Sequence, residues 1–91
     1  MAMVRVSFTA NLRRHVDCEP RDVKAGTLRA VLDEALPMGD ALRGYVLDER
    51  GGLRKHITVF LGADAVRDRA RLSDDVAPGT EVWVMQALSG G

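Results

Sequence analysis

One stretch constrains this chain more than any other: residues 27–36, TLRAVLDEAL, followed by Pro37. Leu28, Val31, Leu32, Ala35 and Leu36 recur at i, i+3, i+4, i+7 and i+8, which puts one apolar stripe along a helix. Thr27 is placed to accept from the free amides of the first turn, and Pro37 stops the helix because it offers no amide and restricts the residue before it. A second, shorter helix is expected over 39–48, using Leu42, Val46 and Leu47. Elsewhere the apolar residues follow strand patterns. One main helix must therefore cover one face of a small mixed sheet, since each needs the other to bury its apolar side.

Residues 3–8, MVRVSF, alternate, with Val4, Val6 and Phe8 on one side and Met3, Arg5 and Ser7 on the other. Residues 9–18 read as a polar connection, and 19–25 as a weaker strand whose Pro20 suits a sheet edge. After Gly51-Gly52, residues 53–61 form a strand with Ile57, Val59 and Leu61 on one face and His56, Thr58 and Phe60 on the other. Gly62-Ala63-Asp64 is a turn, and Ala65-Val66 a short strand. Residues 67–77 read as irregular, pinned by Leu72 and Val76, and Pro78-Gly79 signals another turn. The last strand covers 81–87, with Val82 and Val84 facing one way and Trp83 and Met85 the other. The expected class is α+β. A single domain over 1–91 is expected, with a flexible tail from about 88–91, and no repeat or low-complexity segment is visible.

Composition narrows the function by exclusion. The chain has 91 residues, 13 Lys+Arg against 13 Asp+Glu, and one Cys. A net charge of zero gives no footprint for nucleic acid and no reason to expect an anionic membrane. A single cysteine excludes an internal disulfide framework and a closed Cys-rich zinc site, so no metal ligands are assigned. No apolar run approaches the roughly 18 residues of a membrane span, and MAMVRVSF lacks the long apolar stretch of a signal peptide. The expectation is a soluble, cytoplasmic protein.

Catalytic equipment is not visible. The chain has no GxSxG, phosphate loop, HExxH or CxxC, and no catalytic residue is assigned. His15 and His56 read as solvated surface histidines. Cys18 has no histidine or CxxC partner to lower its pKa and reads as an ordinary cysteine. The segment Arg67-Asp68-Arg69-Ala70-Arg71 is basic, but it is interrupted by Asp68 and lacks interleaved aromatics, so it reads as a solvated loop.

Two features stand out. If the valines and Ile57 face the helix, then Phe60, Trp83 and Met85 face away from it, and large apolar residues on an outer face mark a partner surface. A one-residue slip in register would exchange the faces. The second feature is Gly90-Gly91, directly after the last strand. A diglycine carries no side chains and can thread a narrow cleft, bringing a terminal carboxylate to another protein's active site. Alone, the pair also fits a frayed tail or a cloning scar.

Taken together, "MVRVSFTANLRR", "TLRAVLDEAL", "HITVFLG" and "PGTEVWVMQALSGG" resemble the ubiquitin-like sulfur carriers of the MoaD/ThiS group, over essentially the whole chain. "LRKHITVFLGADAVRD" looks most like the cysteine-synthesis (CysO-like) branch, while the start looks equally like the small subunit of molybdopterin synthase. The family usually has a polar pair such as Asn-Gly after the third strand, where this chain has Gly62-Ala63.

The resemblance implies a ubiquitin-like β-grasp fold and a carried substrate rather than an enzyme. An E1-like adenylyltransferase/sulfurtransferase would use ATP and Mg to adenylate the carboxylate of Gly91. A sulfur donor would then displace AMP to leave a thiocarboxylate. A downstream sulfur-accepting synthase would take the sulfur, for cysteine, molybdopterin or another metabolite. No permanently bound cofactor is implied. Leu88, Ser89 and Gly90 would give the tail access to the partner's channel, and Phe60, Trp83 and Met85 would dock. Two alternatives stay open: a protein modifier joined to lysine through Gly91, and a β-grasp binding module whose diglycine is incidental.

Overall fold

A computed structural model describes residues 3–13 and 19–86. In chain order the elements are β1 (Met3–Phe8), α1 (Ala10–Arg13), β2 (Arg21–Lys24), β3 (Gly26–Thr27), α2 (Leu28–Ala35), α3 (Ala41–Val46), β4 (Ile57–Leu61), β5 (Asp64–Ala65), β6 (Asp75–Val76) and β7 (Glu81–Gln86). Five strands form one sheet in the order β2-β1-β7-β4-β5, and β3 and β6 form a small second pair. The first and last strands lie side by side and parallel, while the other neighbours are antiparallel. This is the mixed sheet with a helix packed on it that the β-grasp reading predicts.

The expected faces are observed. Val6, Ile57, Val59, Val82 and Val84 are fully buried, together with Leu28, Val31, Leu32 and Ala35 of α2, in one hydrophobic cluster. Helix α2 begins where its amides find acceptors. Thr27 Oγ1 accepts from the Ala30 amide at 3.2 Å, and the Leu28 and Arg29 amides donate to the Asp74 and Leu72 carbonyls at 2.7 and 2.8 Å. At its other end the free carbonyls are met by arginines from neighbouring elements: Arg21 donates to the Ala35 carbonyl, and Arg43 to that of Leu36 at 2.7 Å. Helix α3 is capped by Asp40, whose carboxylate accepts from the Leu42 amide at 3.0 Å, and it buries Leu42 and Val46 as expected.

The turns follow their residues. Thr80 donates its amide to the Ala77 carbonyl across Pro78-Gly79, with Gly79 at φ 83°. The β4–β5 hairpin has only Gly62-Ala63 between Leu61 and Asp64, and Gly62, at φ 65°, takes the position that favours glycine. A glycine in the first turn position does the work of the usual polar pair.

Four expectations need correction. The connection read over 9–18 contains α1, a single turn that places Leu12 fully in the core, with residues 14–18 outside the described set. The strand read over 53–61 starts at Ile57, because Arg69 donates to the carbonyls of Arg54 and Ile57, at 2.9 and 2.6 Å, and the Ile57 amide closes a turn onto Arg54. The short strand read at 65–66 is Asp64–Ala65, since the two-residue turn lets pairing start at once. The segment 67–77 is not wholly irregular: Asp75–Val76 pairs with Gly26–Thr27, and Leu72 and Val76 are buried as anchors.

Candidate docking face and tail root

The sheet face opposite the helices carries a row of side chains set by strand register. Ser7 lies beside Trp83, Trp83 opposite Phe60, and Phe60 opposite Ala65. Met85 lies opposite Thr58 in the next row. Trp83, Phe60 and Met85 are all half-buried, whereas Val82 and Val84 on the same strand have no exposed surface. The three residues predicted to share an outer patch are thus brought together, and the register is the expected one. Residues directly opposed on one face of a sheet support each other's packing.

A polar margin borders it. Arg5 Nε donates to Asp22 Oδ1 at 3.1 Å, and this bond holds the proton on Arg5 more firmly still. Both side chains are mostly exposed, so the pair adds little stability and leaves charge at the patch's edge. Ser7 is buried and donates from Oγ to Glu81 Oε2 at 2.7 Å, which satisfies its hydroxyl and ties β1 to β7.

Strand β7, between β1 and β4, ends at Gln86, which pairs with Ile57 of β4. Tyr45 of α3 donates from its hydroxyl to Gln86 Oε1 at 2.9 Å. The Tyr45 ring meets the His56 ring edge-on, with centroids 5.0 Å apart and planes at 71°. On the other flank, the Thr9 amide donates to the Val84 carbonyl at 3.2 Å. His56 therefore is not the solvated histidine expected. It is half-buried against Tyr45, because the turn ahead of β4 folds it inward, and its Nε2 is buried without a hydrogen-bond partner among the described residues, as is Thr9 Oγ1. Leu88, Ser89, Gly90 and Gly91, with Cys18 and His15, lie outside the described residues.

Other clusters serve the scaffold. A cleft of about 550 Å³ is lined by Asp64, Asp68, Asp74 and Asp75 among others, and the carboxylates of Asp68 and Asp74 are occupied by its own loop. Asp74 accepts from the amides of Arg67 and Asp68, and Asp68 from the Arg71 amide and the Ser73 hydroxyl. Those bonds, the Ser73 hydroxyl first, hold the Asp68 carboxyl below its ordinary value. Among the described residues no group of three or more His, Cys, Asp or Glu is arranged to hold a metal. The basic segment is only partly solvated: Arg67 and Arg71 are exposed, while Arg69 fixes the start of β4. The arginines that bond backbone carbonyls, and the Tyr45–Gln86 contact, have no sequence pattern that announces them.

No family model matches the chain, and no curated protein matches it. Solved structures do. SAMP1 from Haloferax volcanii is 26% identical, with a TM-score of 0.74 over 98% of this chain and 99% of that one. A chain of the Amycolatopsis orientalis BexX/CysO complex is 25% identical, with a TM-score of 0.71 over 97% and 99%. CysO from Mycobacterium tuberculosis, described as an antigen, is 26% identical, with a TM-score of 0.68 over 93% and 99%. The resemblance read in the sequence and the neighbours found by shape agree.

Proposed function

We propose that this chain, a ubiquitin-like protein of the sulfur carrier or modifier type, is a carried substrate whose Gly91 carboxylate is activated by an E1-like enzyme. The observation that carries the reading is where β7 leads. The strand runs inside the sheet, anchored by Val82 and Val84, and the sequence reaches Gly90-Gly91 within five residues of Gln86. Five residues span at most about 17 Å when extended. A carboxylate at that reach from a rigid sheet can enter a partner's site while the sheet stays outside.

The chemistry follows from the carboxylate. It is a poor electrophile because oxide is a poor leaving group. Attack of a Gly91 oxygen on the α-phosphorus of MgATP, held by the partner, expels pyrophosphate and gives an acyl adenylate. Hydrosulfide displaces AMP to leave the thiocarboxylate directly. A persulfide gives an acyl disulfide, which a thiol then cleaves to the same product. The sulfur is nucleophilic and passes to an acceptor on a downstream synthase. ATP and Mg belong to the activating enzyme, and no catalytic residue of this chain takes part. Leu88, Ser89 and Gly90 lead the carboxylate in, and Trp83, Phe60 and Met85 dock. That a neighbour comes from a BexX/CysO complex supports a working state in which such a fold is held by a second protein.

A second reading shares the adenylate and ends differently. One structural neighbour is a small archaeal modifier protein, which favours transfer of activated Gly91 to a lysine amine with an amide as product. The test is ATP–pyrophosphate exchange with an E1-like enzyme, comparing the full chain with one lacking Gly90 and Gly91. Exchange with the full chain and none with the shortened chain is expected. Equal exchange would remove both readings and leave a binding module.

A further inference from the structure

The contacts around Gln86 have a role that docking and activation do not use. We infer that Tyr45 and Gln86 form a latch that fixes the Gln86 end of β7, five residues before Gly91 in the sequence, which makes Tyr45 a positioning residue for the reacting carboxylate. The purpose of the latch rests on the carrier or modifier reading above, but its existence does not.

Gln86 is the last described residue of β7, and the Ile57–Gln86 pair is the last rung of that ladder against β4. Terminal rungs open first, because they have a neighbour on one side only. Here the rung is tied from outside the sheet. The Tyr45 hydroxyl reaches it across 41 positions of sequence, from a short helix whose Leu42 and Val46 are fully buried. The donor is itself held: the His56 ring stands edge-on to the Tyr45 ring, and His56 directly precedes Ile57. Tyr45 thus grips β7 through Gln86 and sits against the start of β4 through His56.

A neutral hydrogen bond shifts an open–closed ratio by about fivefold. Displacing a reacting atom by about an ångström can lower a rate a hundredfold. An unlatched Gln86 would move the point from which the five residues to Gly91 extend while leaving Trp83 and Phe60, three rungs along the ladder, in place. The consequence is specific: capture of the protein by its partner stays intact, and turnover of the captured protein falls.

Tyr45→Phe keeps the ring against His56 and removes only the hydroxyl, and Gln86→Met keeps the length of the side chain while removing its amide, and with it the acceptor. The test is amide ¹⁵N relaxation on both variants, paired with pyrophosphate exchange using an E1-like enzyme and MgATP. In the wild type, Gln86 should be as ordered as Val84. In each variant the order of Gln86 should fall while Val59 and Val82 keep theirs. The exchange kcat should fall about five- to tenfold with KM changed by less than about twofold. Unchanged relaxation at Gln86 in both variants would overturn the latch. An unchanged kcat against an active wild type would overturn the positioning role of Tyr45. If the wild type shows no exchange at all, the carrier and modifier readings fail, and the relaxation result alone decides the latch.

Discussion

Val84 and Trp83 are neighbours on one strand and belong to different problems. Val84 points to the helices and has no exposed surface, whereas Trp83 points away and is half-buried beside Ser7 and Phe60. The inner face is aliphatic and β-branched, filled by Val6, Ile57, Val59 and Val82 around α2. The outer face holds the tryptophan, a phenylalanine and a methionine, bordered by Arg5, Asp22 and Glu81. Residues chosen only to hold a fold together need not be large and half-exposed. The difference separates what makes the sheet stable from what makes it recognisable to a partner.

The contrast breaks most easily from the inside. Leu32→Ala removes a fully buried side chain at the centre of the α2 stripe and should cost about 3–4 kcal/mol in chemical denaturation. A cost below about 1 kcal/mol would mean that α2 is not the lid of this core. The adjacent pair sharpens the comparison further. Val84→Ala should cost about 2 kcal/mol and leave partner affinity unchanged once corrected for the folded fraction. Trp83→Ala should cost about 1 kcal/mol in stability yet weaken binding to an E1-like enzyme by more than about tenfold, measured by titration calorimetry. If Trp83→Ala mainly unfolds the protein, the outer row is structural and the docking assignment fails.

The smallest effect lies off the sheet. The Ser73 hydroxyl holds the Asp68 carboxyl below its ordinary value, so the folded state binds that proton less readily than the unfolded chain. The resulting stability is present above the unfolded value, about pH 4, and is lost as the pH falls through the lower folded value. Ser73→Ala should therefore be slightly less stable than the wild type at neutral pH, and the gap should close on acidification below about pH 4. A gap independent of pH would show that Ser73 acts through something other than Asp68.

The parts of this molecule that were legible in the sequence are those written in short-range periodicity. The α2 stripe with its Thr27 cap, the two faces of β7 and the Pro78-Gly79 turn each need only a few neighbouring residues, and each is found as expected. What escaped depends on partners far along the chain. Arg69 looked like part of a charged loop and instead fixes where β4 begins. Asp75-Val76 looked irregular because its pairing partner, Gly26-Thr27, is some fifty positions away. His56 alternated like an outward strand residue, but the strand starts one residue later, and the turn before it folds the ring against Tyr45. Of the candidate site, the outer row could be read from alternation alone. The Tyr45–Gln86 contact could not, because neither residue belongs to a pattern that points to the other.

The central claim is that the chemistry sits on the carboxylate of Gly91 and that the rest of the chain presents it. Intact-mass measurement after incubation with MgATP, an E1-like enzyme and a sulfur donor tests this most directly. The expected result is replacement of one oxygen by sulfur, located by fragmentation to Gly91 and absent without ATP. ATP-dependent amide-linked conjugates through Gly91, with no sulfur exchange, would support the modifier reading instead. A chain that emerges unchanged, or that carries its sulfur on Cys18, would contradict the account.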